Sequence, residues 1–200
     1  MDNDFVLWLG KDVLEYSAAD HKYKVNRVPV PSITEILSVR FGHKYDGIPE
    51  DTLKRAAEAG TRMHEAVEAY INDFTDDGSE EVRNFRFLMK KYDLEPQDAE
   101  VPVILYDEGK PFAAGRLDMT LTNPDYETGI GDLKHTATLD KVYLTYQLNL
   151  YRTACEQTYG IPIMFLAGIH LRGEKRKLVA IPKNHAYTDE IIQEWKEKRT

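Results

Sequence analysis

The chain has 200 residues, a formal charge of −8 and one cysteine. That length suits one domain with a sizeable core, and one thiol excludes an internal disulfide, a four-cysteine metal site and an iron–sulfur cluster. At 42% hydrophobic and 30% charged residues it has an ordinary folded composition, and the acidic total argues against a surface that binds nucleic acid everywhere, though not against a local basic groove.

No apolar run approaches the roughly 20 residues that span a bilayer, so no membrane association is expected. The acidic start Met1-Asp2-Asn3-Asp4 does not resemble a secretory signal, which makes the cytoplasm the expected compartment. Phe5 to Leu9 and Tyr23 to Val30 read as strands of a small N-terminal β extension covering residues 1–31. Ser32-Ile33-Thr34-Glu35 is a capping-box signature that opens a short helix to about Val39. From Pro49 to Asp73 the residues Leu53, Ala57, Gly60, His64, Val67 and Ile71 recur at helical spacing and share one face. Gly60 on that face would let another backbone approach closely. A second helix is expected from Glu80 to Tyr92, with Val82, Phe85 and Met89 inward. The helical segment 32–95 then gives way to a sheet-and-helix segment, 96–182, with strands at Val101–Tyr106, Phe112–Leu121 and Gly129–Lys134. A buried helix follows at Lys141–Thr158, then strands at Pro162–Leu171 and Lys177–Ile181, and a helix at Asp189–Lys198 within the last segment, 183–200. The order predicts a single α/β domain, a central mixed β-sheet flanked by helices.

Asn123-Pro124-Asp125 supplies a turn between the second and third of these strands. A hairpin centred there sets Asp118 opposite Asp132, with Cβ atoms roughly 5 Å apart. One face then reads Arg116, Asp118, Asp132, Lys134, and the other Leu117, Met119, Leu121, Leu133. Facing carboxylates repel unless a cation lies between them, and hard oxygen donors favour Mg²⁺ or Mn²⁺. Lys134 would orient water or neutralise charge on a phosphate. The same four charges would equally make a surface salt-bridge ladder, since Asp-x-Lys is a common triplet. His64 is either a hydrogen-bonded core histidine or, with the Leu133 carbonyl, a further metal ligand. Gln147 and Tyr151, four apart on one helix face, could donate to phosphate oxygens or simply pack. Arg62, Arg116, Lys134, Lys141 and Arg152 lie near the expected groove. Arg172, Lys175, Arg176 and Lys177 cluster at a turn, where charge is usually just solvated.

With Gly60-Thr61-Arg62-Met63-His64, Gly115-Arg116-Leu117-Asp118, Gly131-Asp132-Leu133-Lys134 and Gln147-x-x-x-Tyr151 in that order, the chain resembles the PD-(D/E)XK nuclease superfamily, in its RecB-like branch. Val30-Pro31-Ser32-Ile33-Thr34-Glu35-Ile36-Leu37 is similar to the start of phage-encoded members and of mitochondrial genome-maintenance exonucleases. The resemblance implies a restriction-endonuclease-like core. It implies Mg²⁺ or Mn²⁺ on His64, Asp118, Asp132 and the Leu133 carbonyl. It also implies Lys134 as the catalytic lysine, with Asp118 and Asp132 beside it, and Gln147 and Tyr151 near the DNA backbone, joined by Arg116 and Arg62. Glu100 matches a frequent acidic position, read either as a supporting or second-metal group or as an exposed strand-end charge. Asp132 is the shorter variant of the family's Asp/Glu position. The iron–sulfur relatives need four cysteines and are excluded, and no helicase motif is present.

The leading expectation is therefore a metal-dependent deoxyribonuclease, an exonuclease acting in phage or prophage DNA recombination or processing in a bacterial host's cytoplasm. Its partners would be DNA and a single-strand annealing or other recombination protein. Two alternatives stay open: a structure-selective endonuclease, and a non-catalytic nuclease-fold protein that binds DNA or assembles with other proteins.

Overall fold

A computed structural model describes residues 4–45 and 47–199. Met1 to Asn3 of the acidic start and Thr200 of the last expected segment lie outside the described residues. Strands β1 (Phe5–Leu9), β2 (Asp12–Ser17), β3 (Lys22–Val25) and β4 (Val28–Val30) form an antiparallel meander in chain order. The N-terminal extension is thus a four-stranded sheet. The strand expected over Tyr23–Val30 is folded back on itself at Asn26-Arg27, both at positive φ (52° and 68°), the backbone that a tight two-residue hairpin requires. Asn26 suits it: its Oδ1 accepts from Val13 N–H at 2.9 Å and its Nδ2 donates to Asp12 Oδ1 at 2.6 Å. Alternation turns Leu14, Tyr16, Tyr23 and Val25 inward onto Ile104 and Ala114 of the main sheet.

Helix α1 (Ile33–Phe41) begins where Ser32 Oγ accepts from Glu35 N–H at 2.9 Å, and a 3₁₀ turn (Gly42–Tyr45) follows it. Helices α2 (Glu50–Asp73) and α3 (Glu80–Tyr92) form an antiparallel pair. Only the second half of α2 packs, through Met63, Val67 and Ile71 against Val82, Phe85 and Met89. At 24 residues α2 is about 36 Å long, and its first half stands clear, with Ala57 exposed. The expected backbone approach at Gly60 is not there: nothing lies within 4 Å of where its Cβ would be.

The main sheet has β5 (Glu95–Asp107), β6 (Lys110–Thr122), β7 (Thr128–Lys134), β8 (Phe165–Arg172) and β9 (Lys175–Ile181) in sequential order. β7 and β8 run parallel and the other neighbours antiparallel, so the sheet is mixed. Helix α4 (Lys141–Tyr159) makes the crossover that parallel strands need. It covers one face with α1 and α5 (Ala186–Glu197), and α2 with α3 covers the other. The fold is α/β: a mixed five-stranded sheet between helices, with an antiparallel sheet at its N-terminus. Among the described residues no helix is long and apolar enough to cross a membrane.

Candidate metal centre

The β6–β7 hairpin has the expected register: Met119 pairs with Gly131 and Leu121 with Gly129. The ladder ends at Met119 and Gly131. Beyond it the strands part, and the Asp118 carboxylate fills the gap, its Oδ2 accepting from Leu133 N–H at 2.6 Å. The side chain thus replaces a backbone partner, which leaves Oδ1 available on the other side. Gly131, just before Asp132, is needed for close packing: a Cβ there would sit 2.9 Å from Met119 Cγ and 3.1 Å from Ile169 Cδ1. At Gly115 a Cβ would meet the Tyr151 ring at 3.1 Å.

Two expectations about this hairpin are corrected. Leu117, Met119, Leu121 and Leu133 are all buried, but they do not line one core. Leu117 packs on the α4 side, whereas Met119, Leu121 and Leu133 pack under α2 and α3. The same switch occurs on β5, where Ala99 packs with α2 and α3 and Val101 with the α4 side. Between each of these pairs lies an acid, Asp118 on β6 and Glu100 on β5. Glu100 has φ +55°, uncommon for a side chain with a Cβ and costly by about 1–3 kcal/mol. The pairings Ala99↔Met119 and Val101↔Leu117 place Glu100 opposite Asp118.

The charged face is not a surface ladder either. Asp132 is 2% exposed, because β7 is the middle strand and both of its faces are covered. The β6–β7 ladder stops before Arg116 and Lys134; on its other side Arg116 pairs with Pro102 of β5, and its Nε lies 3.2 Å from Glu100 Oε2. The N-terminal sheet holds this guanidinium from behind, 4.8 Å from the Tyr16 ring centroid. Lys134 makes a close ion pair with Asp132.

His64, on the packed half of α2, puts Nδ1 3.7 Å from Asp118 Oδ1. His64, Glu100 and Asp118 each offer a donor atom within 4.8 Å of the others. The ligand set expected from sequence was His64, Asp118, Asp132 and Leu133. Among the His, Cys, Asp and Glu side chains of the described residues, those that converge are His64, Glu100 and Asp118; the Asp132 carboxylate is engaged by Lys134, and the Leu133 N–H donates to Asp118. One imidazole nitrogen and two carboxylates are a donor set for Mn²⁺ or Mg²⁺.

Burial dominates the electrostatics of these acids. Burial pushes the Glu100 carboxyl up to about 7; Arg116 pulls it back, and Asp118 and Glu68 raise it further. Burial also raises Asp132, opposed by Lys134 and reinforced by Asp118. Burial alone would lower Lys134, but Asp132 and Asp118 outweigh it and hold the ammonium above its ordinary value.

Gln147 and Tyr151 are buried on α4, each 6% exposed, and the Tyr151 ring lies against Gly115 of β6. Burial, with Asp118 next, pushes the Tyr151 hydroxyl well above the ordinary phenol range. Gln147 Oε1 has no hydrogen-bond partner among the described residues. Arg62 is exposed on α2, Lys141 is exposed at the start of α4, and Arg152 is buried, 5% exposed.

No family model matches the chain, and no curated protein matches its sequence significantly. A solved structure described as the crystal structure of SSO0001 is similar at 12% identity and a TM-score of 0.49, over 86% of this chain and 77% of that one.

Proposed function

We propose that the protein is a divalent-metal-dependent deoxyribonuclease of the PD-(D/E)XK type, in the RecB-like branch. The observation that carries this reading is the convergence of His64, Glu100 and Asp118 within 4.8 Å, beside the buried Asp132–Lys134 pair. His64, Glu100 and Asp118 would hold Mg²⁺ or Mn²⁺, which supplies Lewis-acid polarisation of a phosphoryl oxygen and of water. Leu133 N–H fixes the Asp118 carboxylate so that its second oxygen faces the imidazole. Asp132 positions the Lys134 ammonium. Flanked by two carboxylates, Lys134 keeps its proton and acts as a donor to charge developing on phosphate. Glu100 and Arg116 form a second pair that sets the charge on the opposite side.

Exonucleolytic action in phage DNA recombination is the finer form of the proposal, and it rests on the sequence resemblance. The test is incubation of folded protein with end-labelled linear and closed circular DNA, in Mg²⁺ and in Mn²⁺. Release of label from linear DNA alone is expected. No cleavage with either metal defeats the enzymatic reading and favours a DNA-binding or assembly protein. Cutting of closed circles replaces the exonuclease with an endonuclease.

A further inference from the structure

The β8–β9 hairpin carries Arg172, Lys175, Arg176 and Lys177 against one acid, Glu174. Among the described residues none of these four cations pairs with an acidic side chain, whereas Arg40, Lys44, Arg86 and Lys196 all do. A charged turn is ordinarily solvated and loose. This one is pinned. Asn84 of α3, 5% exposed, donates to Gly173 C=O at 2.8 Å and accepts from Arg176 at 3.1 Å. The Arg176 guanidinium lies over the Phe87 ring, 3.7 Å from its centroid.

Strand register fixes where the hairpin sits. Lys134 pairs with His170 across the parallel β7–β8 step, and His170 pairs with Lys177 across β8–β9. Residues in register share a face, so Lys134, His170 and Lys177 form one row, and two strand spacings put the Lys177 backbone about 10 Å from that of Lys134. His170 is buried, its Nε2 2.7 Å from the Thr136 carbonyl, and it braces the segment that leaves Lys134. Lys175 Nζ reaches Ala137 C=O of the same segment at 3.5 Å. The hairpin tip therefore extends the row of positive charge outward from Lys134 on a rigid support.

We propose that Arg172, Lys175 and Lys177 form a phosphate track that grips the DNA backbone a few nucleotides from the bond placed at Lys134. This deepens the nuclease reading and takes its orientation from it. Phosphate contacts position a strand without reading its sequence, and each contact adds about 0.9 to the slope of log affinity against log salt on duplex DNA.

The experiment measures anisotropy of a short fluorescent DNA duplex in metal-free buffer across a salt series. The proteins are the full wild-type chain, R172Q/K175Q/K177Q, and K24Q/R27Q/K110Q, a control with the same charge change at exposed positions away from the hairpin. Single K175Q and K177Q variants repeat the test at minimal perturbation. The expected result is a slope lower by about 2 to 3 in the hairpin triple variant and by about 1 in each single, with the control at the wild-type slope and melting temperatures unchanged. An unchanged slope in the hairpin variants, or an equal fall in the control, overturns the track. No cleavage enters this readout. A fallen slope in a protein that never cuts DNA keeps the track and removes the hydrolytic reading; an active nuclease with an unchanged slope does the reverse.

Discussion

Glu100 offers the sharpest test of the proposed centre, because its place there was settled by backbone geometry. Its carboxyl is pushed up to about 7, and a ligand must lose its proton before it binds metal. At pH 6 roughly a tenth of Glu100 is ionised, and at pH 8 roughly nine-tenths. Its contribution to apparent Mn²⁺ affinity should therefore rise about tenfold over that interval. Glu100→Gln removes this contribution, while His64 and Asp118 keep their own. The assay is isothermal titration calorimetry with Mn²⁺ at both pH values, in two buffers of different ionisation enthalpy, so that released protons are counted. The variant should bind more weakly at pH 8, gain less affinity from pH 6 to 8, and release fewer protons. Stability gives an independent check. The folded value lies above the ordinary 4.5, so the native state holds the extra proton. The associated stability is present below about 4.5 and is lost as pH rises through about 7. The upper bound is about 3 kcal/mol. Metal-free wild type should lose melting temperature over that window relative to Glu100→Gln. Equal Mn²⁺ affinity and equal proton release in the two proteins would falsify Glu100 as a ligand.

Other outcomes follow from the same geometry. Asp118→Ala, Asp132→Ala and Lys134→Ala should each abolish turnover on linear DNA. In calorimetry Asp118→Ala should lose Mn²⁺ binding and Lys134→Ala should largely keep it; DNA cleavage at the wild-type rate by the lysine variant would remove Lys134 from the chemistry. Asp132→Ala leaves a charge without its buried partner and should cost about 3–5 kcal/mol in chemical denaturation. Gly131→Ala should cost about 1–3 kcal/mol, since its Cβ would lie 2.9 Å from Met119, and a melting temperature at or above wild type would contradict the packing. Cys155 is 3% exposed and burial raises its thiol to about 11, so a thiol-disulfide reagent should label it only after denaturant is added, and prompt labelling of native protein would show the thiol open to solvent.

Local signals foretold much of the architecture. The turn at Asn123-Pro124-Asp125 and the spacing of aliphatic residues on either side predicted the register that pairs Met119 with Gly131. Ser32 and Glu35 predicted a helix start that the Ser32 cap fulfils. What stayed hidden was set at longer range. The periodic stripe on α2 says which way it would face, but the point where its neighbours stop supporting it depends on the size of the sheet. β5 was expected from Val101 and begins at Glu95. Glu95-Pro96-Gln97-Asp98 is polar and contains a proline, which reads as loop, yet β5 is an edge strand and an edge tolerates proline. That early start brings the irregular pairing between Pro96 and Ala99 and the left-handed Glu100 beside Asp118. Residue type alone says nothing about a positive φ at glutamate. A surface ladder is one reading of the charges of β7 because alternation distinguishes two faces but not whether both are covered, which depends on strand order.

Net charge misleads here for a related reason. A sum of −8 treats every charge as if it acted at every point, but at 0.1 M salt the screening length is about 10 Å. Some of the protein's cations are cancelled at close range: Arg40 by Glu190 and Glu194, Lys44 by Asp140, Arg86 by Asp76, Lys196 by Asp107. Removing those groups hardly changes the acidic excess, and among the described residues the cations of the hairpin from Arg172 to Lys177 pair with no acidic side chain. A phosphate at that tip feels mainly the hairpin. The same total charge thus disfavours nonspecific coating and is compatible with the one oriented approach proposed above, along the hairpin toward Lys134.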